Sequence, residues 1–357
     1  MSGLLKTAGG LVAFFIVALI IAWYEPTQTK QIGFDGVAMQ VTDTEERMVD
    51  RLAANEIPLA APIVKSGPLA ADAYKNVQVL GHLTTGEFVR VMNSITAWVS
   101  PQQGCGYCHV GDDLASDDIY TKVVSRRMLQ MTAHINENWQ RHVKDTGVTC
   151  YTCHRGQPVP RYIWHEEPED AHLASSLGDR AHQNDPLGTS NRGSLPTNVF
   201  QEFLLGDTDI RVQSNQPLPG DNHSSIKQAE WTYSLMMHFS RSLGVNCTYC
   251  HNSRSWADWS QSPAPRATAW QGIRMVRHLN NDWLVPLTPQ FPAERLGPLG
   301  DGPKLNCSTC HQGAYKPLLG KSMLSDYPSL ARSMPQPVKS PVGDAAEPGV
   351  MGTVPSP

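Results

Sequence analysis

The sequence predicts a mainly α chain, built as two related halves joined by long loops, with one apolar helix at its N-terminus. Three observations carry this expectation. A five-residue motif occurs four times, the stretches before its copies match in pairs, and those stretches run long with almost no Pro or Gly.

Leu11 to Trp23 is unbroken apolar sequence. Extended from Leu4 to Tyr24 across the single charge of Lys6, it gives about 21 residues, or roughly 30 Å of helix. Lys6 suits the near face of a bilayer, and Trp23 and Tyr24 suit the far interface. The run ends in Ala22-Trp23-Tyr24-Glu25-Pro26, which lacks a small-x-small cleavage site. We therefore expect an uncleaved single-pass anchor, with its short basic side in the cytoplasm and the rest in the periplasm.

Four further stretches read as helices. Phe88 to Trp98 and Gln228 to Leu243 hold no Pro or Gly, and Ala267 to Leu284 holds only Gly272. Asp117 to Asp145 is the longest, with an Asp pair placed to cap its start and Gly147 just past its end.

All eight Cys of the 357 residues fall in the repeated motif: Cys105-Gly-Tyr-Cys108-His109, Cys150-Tyr-Thr-Cys153-His154, Cys247-Thr-Tyr-Cys250-His251 and Cys307-Ser-Thr-Cys310-His311. Cys-x-x-Cys-His is the attachment signature of c-type haem. The two thiols bond the porphyrin vinyl groups, and the adjacent His is set under the iron. A structural zinc site needs a second Cys/His pair to complete its tetrahedron, and a thioredoxin-like site needs one pair, not four each followed by His. The chain thus reads as a multihaem cytochrome c with four covalently bound haem c groups. His109, His154, His251 and His311 are the proximal ligands. Such attachment occurs on the oxidising side of a membrane. The formal charge is −4 and only 17% of residues are charged, so nucleic-acid binding has no electrostatic support.

An internal repeat organises the rest. Met131-Thr-Ala-His134-Ile-Asn-Glu-Asn-Trp139 matches Met275-Val-Arg-His278-Leu-Asn-Asn-Asp-Trp283, and Glu87-Phe88 with Met92 matches Glu230-Trp231 with Met236. Two dihaem units related by a pseudo-two-fold axis are expected. The corresponding divisions are 1–25 (cytoplasmic end and anchor), 26–182 (first unit), 183–222 (connection, with Val199 to Leu205 as an ordered piece), 223–332 (second unit) and 333–357 (Pro/Gly-rich tail).

The repeat also bears on the distal ligands. Met92 is the nearby Met upstream of the first motif. Met236 and Met237 compete for the third, and the repeat pairs Met92 with Met236. Met128 and Met131 compete for the second. Met131 has a counterpart in Met275, which fits a shared packing role, whereas Met128 faces Gly272 in the alignment. The last unit thus lacks a ligand where its sister has one. His142 is the candidate to supply it, 14 residues after Met128 on one continuous helix, ~40° off its face and ~21 Å along the axis. His134 and His278 are rivals, read as packing or propionate-binding residues.

With these residues in place, the stretch from about 30 to 330 resembles the tetrahaem cytochrome subunit of purple-bacterial photosynthetic reaction centres. The marks are the four motifs in order, their uneven gaps, and the segment from Arg126-Arg127-Met128 through His142 to Cys153-His154-Arg155-Gly156. The resemblance implies the pairs Met92/His109, Met128/His154, Met236/His251 and His142/His311, the last being bis-His. It implies haems in the row first, second, fourth, third, with the third nearest the pigments. The implied function is re-reduction of the photo-oxidised bacteriochlorophyll special pair. The implied partners are the L and M subunits, with H in the same complex, the light-harvesting 1 polypeptides, and a soluble cytochrome c or high-potential iron–sulfur protein as donor. Some members are lipidated at an N-terminal Cys that this sequence lacks. With every iron saturated, the chain is read as an electron-transfer subunit and not an enzyme. A membrane-anchored quinol dehydrogenase is disfavoured by the Met-bearing helices, and a multihaem reductase by the complete ligand sets. Asp112, Asp113, Asp117 and Asp118 follow the first motif and read either as a docking patch for a basic donor or as a solvated loop with helix caps.

Overall fold

The structure is a computed structural model that describes residues 2–23, 27–31, 40–169, 195–210 and 226–332. It is mainly helical. Helix α1 (Ser2–Trp23) is followed by an antiparallel hairpin of β1 (Thr27–Gln31) and β2 (Gln40–Thr44), which the sequence reading did not anticipate. Then come α2 (Glu45–Ala53), α3 (Ala70–Ala73), α4 (Thr85–Val99), α5 (Tyr120–Asn138), α6 (Gln140–Val143), α7 (Cys150–His154), α8 (Ile226–Leu243), α9 (Pro265–His278) and α10 (Cys307–His311). Short 3-10 and π turns link them. The tail 333–357 and most of the 183–222 connection lie outside the described residues. Within that connection, the ordered piece expected at Val199 to Leu205 is present as a π turn, Gln201–Leu205, that buries Phe203 and Leu204.

Along α1, the large apolar side chains from Leu11 to Trp23 are exposed. Side chains are described there only from Gly9, and fifteen residues rise about 22 Å. Among the described residues, no helix is long and apolar enough to cross a membrane.

Helix α4 begins in a capping box. The Thr84 hydroxyl accepts from the Glu87 N–H, and the Glu87 carboxylate accepts from the Thr84 N–H. The long helix expected over Asp117 to Asp145 is different in fact. It starts at Tyr120, because Asp117 pairs with Arg126 and Asn76 instead of capping. It also breaks at Trp139 (φ −114°, ψ 29°), after which α6 starts afresh. The continuous-helix placement of His142 relative to Met128 therefore does not hold. The sister stretch deviates at the same place, where α9 loosens into a π turn over Leu279–Leu284.

The motifs themselves come in two kinds. The second and fourth are one-turn α-helices, α7 and α10, whereas the first and third form 3-10 turns at Gly104–Tyr107 and Cys247–Tyr249. After each α-type motif the chain takes two left-handed residues, Arg155-Gly156 and Gln312-Gly313. The Gly156 N–H then reaches the Trp98 carbonyl at the end of α4, and the Gly313 N–H reaches the Ser242 carbonyl at the end of α8. Trp98 and Ser242 are equivalent under the repeat, so the two units share their internal docking as well as their helices.

Each unit is pinned by one buried amide. Asn136 Nδ2 donates to the carbonyls of Val148 and Leu330, and its Oδ1 accepts from the Val148 N–H. Asn280 repeats this with Leu305 and Leu204. Each clamp ties the helical stretch upstream of an α-type motif, α5 or the turn that continues α9, to the residue two before the first Cys of that motif. Around them pack two apolar clusters. One centres on Phe203, Leu204, Leu235, Leu279 and Trp283, and the other on Leu80, Trp98, Leu318, Tyr327 and Leu330.

Replacing Asn136 by Ala strands two backbone carbonyls and one N–H in the interior. We expect a loss of about 2–3 kcal/mol, read as a lowered Tm by far-UV circular dichroism. The haem content should be unchanged. A loss well under 1 kcal/mol would show that the clamp is not needed.

Candidate haem-binding sites

Each motif histidine is oriented by the backbone just beyond it. His154 Nδ1 lies 2.9 Å from the Gln157 carbonyl and His311 Nδ1 lies 2.9 Å from the Ala314 carbonyl, both three residues on. His109 Nδ1 lies 3.0 Å from the Leu114 carbonyl and His251 Nδ1 lies 3.2 Å from the Trp256 carbonyl, both five residues on. A carbonyl only accepts, so every Nδ1 carries the proton. Every Nε2 then keeps a lone pair for a metal, the outer-sphere arrangement that ligating imidazoles require.

A large cavity of about 2060 Å³ runs between the units. Its wall carries His154, His251 and His311 with the Cys pairs of their motifs, and also Met128, Met236 and His142. Met131 and Met275 also touch it but are buried in the core cluster, at 8% and 7% exposure. Met237 is not on the wall. The first motif stands apart. Met92 packs on the Leu80 cluster, Cys105 is exposed, and neither these nor Cys108 and His109 line the cavity, although Tyr107 does.

His142 and His311 face each other across the cavity, with ring centres 6.1 Å apart. Two imidazoles each about 2 Å from a shared metal have ring centres roughly 6 Å apart. His142 Nδ1 donates to the Thr268 carbonyl at 2.9 Å, which leaves its Nε2 free as well. Its ring packs against Gly272. A Cβ built on that glycine would stand 2.5 Å from Cε1 and 2.9 Å from Nδ1. Burial pushes the imidazoles of His142, His154 and His311 down, His311 to about 4 with His142 adding to the effect, so all three are the neutral form. Burial likewise pushes the thiols of Cys150 and Cys250 up to about 11 and of Cys307 to about 12. At these three positions the surroundings favour neutral sulfur, whereas Cys310 is pushed down by its hydrogen bond with Cys153. Among the described residues, no three His, Cys, Asp or Glu side chains converge as a metal cluster. The donor set, the apolar wall and the aimed Nε2 atoms fit haem.

The family model for the photosynthetic reaction centre cytochrome C subunit matches residues 24–331. The chain belongs to this family. It is 50% identical over 307 residues to the photosynthetic reaction center cytochrome c subunit of Rubrivivax gelatinosus, covering 85% of this chain and 84% of that one. It is 47% identical to the subunit of Thermochromatium tepidum, covering 86% and 76%, and 41% identical to that of Roseobacter denitrificans, covering 90% of each. A reaction-centre cytochrome c subunit holds haem c covalently and transfers electrons in photosynthesis. It is not an enzyme in the catalytic sense.

Two features of this reaction-centre cytochrome escaped the sequence reading. The first is the role of Gly272, which was noted as a missing ligand; its effect is to leave room for the His142 ring. The second is a reciprocal contact between α7 and α10. Arg155 donates to the Cys310 carbonyl at 3.2 Å, and Gln312 donates to the Cys153 carbonyl at 3.4 Å. The repeated pair His134 and His278 engages itself, with Nε2 atoms 2.9 Å apart. The repeat had already marked Gly272, His134 and His278, but their partners are fixed only in three dimensions.

The acidic run turns out to be built into the first site. The Leu114 carbonyl that orients His109 also accepts from the buried Lys122 ammonium at 2.8 Å. Asp117 accepts from Arg126 at 2.7 Å and from Asn76 at 2.9 Å, and Lys122 lies 3.4 Å away. Asp113 accepts from the Ala115 N–H at 3.0 Å. Asp112 and Asp118 are exposed on the same loop.

The Arg126 hydrogen bond holds the Asp117 carboxyl at about 2, against an ordinary 3.8. A depressed folded value means that the clamp contributes fully above 3.8 and is lost as pH falls through about 2. Asp117→Asn should lower the Tm slightly at pH 7, since the carboxylate is 40% exposed. The gap to the unmutated protein should close near pH 2. A gap that persists there would assign the effect to packing.

Proposed function

We propose that this chain is the tetrahaem electron conduit of a photosynthetic reaction centre, taking electrons from a soluble periplasmic donor and re-reducing the photo-oxidised bacteriochlorophyll special pair. The ligand pairs are Met92/His109, Met128/His154, Met236/His251 and His142/His311. The observation that carries this reading is the facing of His142 and His311 at the spacing of two axial imidazoles, each with its Nδ1 tied to a carbonyl.

When bound, haem supplies the one-electron Fe(III)/Fe(II) couple. The protein supplies its order and tuning. Helix α4 packs on α7, α7 on α10 and α10 on α8. These elements bear Met92, the second motif, the fourth motif and Met236, which supports the order first, second, fourth, third. Met thioethers favour the reduced iron and a second imidazole disfavours it, so the His142/His311 site is the low-potential member beside the third. Two axial ligands at each site leave no open iron for substrate. The first motif has an exposed Cys105 beside the exposed Asp112, Asp113 and Asp118, and this acidic surface suits it to a basic donor such as a cytochrome c, or to a high-potential iron–sulfur protein. The third site faces the L and M subunits, with H in the same complex and light-harvesting 1 polypeptides as neighbours. Helix α1 anchors the chain in the photosynthetic membrane with the haem domain in the periplasm. Its all-round apolar, exposed surface supports this.

A flash on membranes containing the protein tests the reading. Bleaching of the pigment pair should recover in step with oxidation of the c-type α-band. If the pair stays bleached while the haems stay reduced, the cytochrome serves another partner.

Gly272→Ala tests the bis-His site on its own. The added methyl must displace the His142 ring. We expect the bis-His low-spin electron paramagnetic resonance signal to be lost and carbon monoxide to bind one haem of the reduced protein. Four haems should remain attached. An unaltered signal with no carbon monoxide binding would exclude His142 as a ligand.

A further inference from the structure

Near the join of the two units, one polar wall of the cavity has no role in axial ligation. Trp164 and Lys304 form an antiparallel bridge, with backbone hydrogen bonds of 3.0 and 2.9 Å. This joins the chain beyond the second motif to the chain just before the fourth. The Lys304 ammonium is buried, with the residue 1% exposed. It is held from behind by Asp301, by Glu166 at 3.3 Å and by the Gly302 carbonyl at 3.2 Å, and the Glu166 N–H donates to Asp301 at 2.9 Å. Its charge is thus spent inside the protein.

Beside this cluster stands His165. It lines the cavity, and its Nε2 is buried with no hydrogen-bond partner among the described residues. The ring is fixed by close packing on Gly297, where an added Cβ would fall 2.5 Å from the His165 Cβ and 2.8 Å from its Cγ. Asp301 Oδ1 is also buried and unpartnered, but it sits behind Gly297 and off the cavity wall. A buried ring nitrogen without a partner costs as much as a lost hydrogen bond, so its acceptor has to come from whatever fills the cavity. A haem macrocycle is apolar, and its only strong acceptors are the two propionates.

We infer that His165 donates its Nε2–H to a haem propionate, from the haem of either the second or the fourth motif, and thereby raises that haem's potential. The inference rests on the haem reading given above. A donor on the carboxylate draws its negative charge away from the iron and favours Fe(II).

The test uses the haem-loaded subunit in its reaction-centre complex, with His165→Phe and His165→Gln variants. A pyridine haemochromogen assay first counts haems. Fewer than four in the unmutated protein would sink the tetrahaem reading itself. With four present, His165→Phe should shift one haem's redox equilibrium three- to tenfold toward Fe(III), where tenfold is 59 mV for one electron. Its propionate bending mode in the resonance Raman spectrum should move as well. His165→Gln, which keeps a donor, should recover much of both. If the bis-His haem is the one that moves, the propionate belongs to the fourth motif; if a His/Met haem moves and Met128→His, which converts the second site alone, displaces the same potential, it belongs to the second; a shift confined to the first or third haem would overturn the assignment. Four unchanged potentials and an unchanged Raman mode in His165→Phe would overturn the proposal and assign Nε2 to a bound water.

Discussion

The backbone carbonyl beyond each Cys-x-x-Cys-His is the constraint on which the rest depends. A neutral imidazole has one proton and one lone pair, and the carbonyl takes the proton side. Gln157, Ala314, Leu114 and Trp256 do this for the four motif histidines, and Thr268 does it for His142. Once Nδ1 is committed, the direction of Nε2 is set by the ring plane, and the helices opposite must present their ligands there. The three-residue and five-residue forms of this bond follow the two motif shapes. The α-type turns of α7 and α10 bring a carbonyl back quickly, and the 3-10 turns need a longer loop.

The repeat is not perfect, and its imperfection is what makes the surroundings of the fourth motif unlike those of the second. Met128 and Gly272 occupy equivalent positions. In the first unit the side chain lines the cavity. In the second its absence makes a slot, and the His142 ring fills that slot from the sister unit, within 3.2 Å of where a Cβ would stand. One small residue thus lets a side chain from the first half of the chain reach the fourth motif, the contact on which the proposed His142/His311 pair rests. The break at Trp139 is part of the same arrangement. A continuous helix would carry His142 away along its axis, whereas α6 sets out in a new direction and packs on α9.

Much of this was legible in the sequence because the chemistry of the motif is local. Four Cys pairs with an adjacent His point to covalent haem without reference to the fold, and the family match supports haem c. The Pro- and Gly-free stretches Phe88 to Trp98 and Gln228 to Leu243 fall within the helices Thr85–Val99 and Ile226–Leu243, a few residues short of their bounds. What failed was non-local. Asp117 looks like a cap in sequence, but Arg126 and Asn76 take its carboxylate, and Asn76 is distant in the chain. The hairpin Thr27–Gln31 with Gln40–Thr44 has no apolar alternation to announce it. Asn136 and Asn280 stood inside the matched repeat, yet nothing local distinguishes a buried clamp from an exposed amide.

The proposed order of the sites is the one that the repeat's symmetry favours. When two like units meet about a two-fold axis, equivalent elements meet their own equivalents at the centre. Here the central pair is α7 with α10, and the contact is reciprocal in the required sense: Arg155 reaches the Cys310 carbonyl while Gln312, its counterpart, reaches the Cys153 carbonyl. His134 and His278 meet in the same way, Nε2 to Nε2. With α7 against α10 at the centre, α4 packs on α7 and α8 on α10. These contacts support the proposed order one, two, four, three, in which the first motif with its acidic loop and the Met236-bearing third site are the outer members.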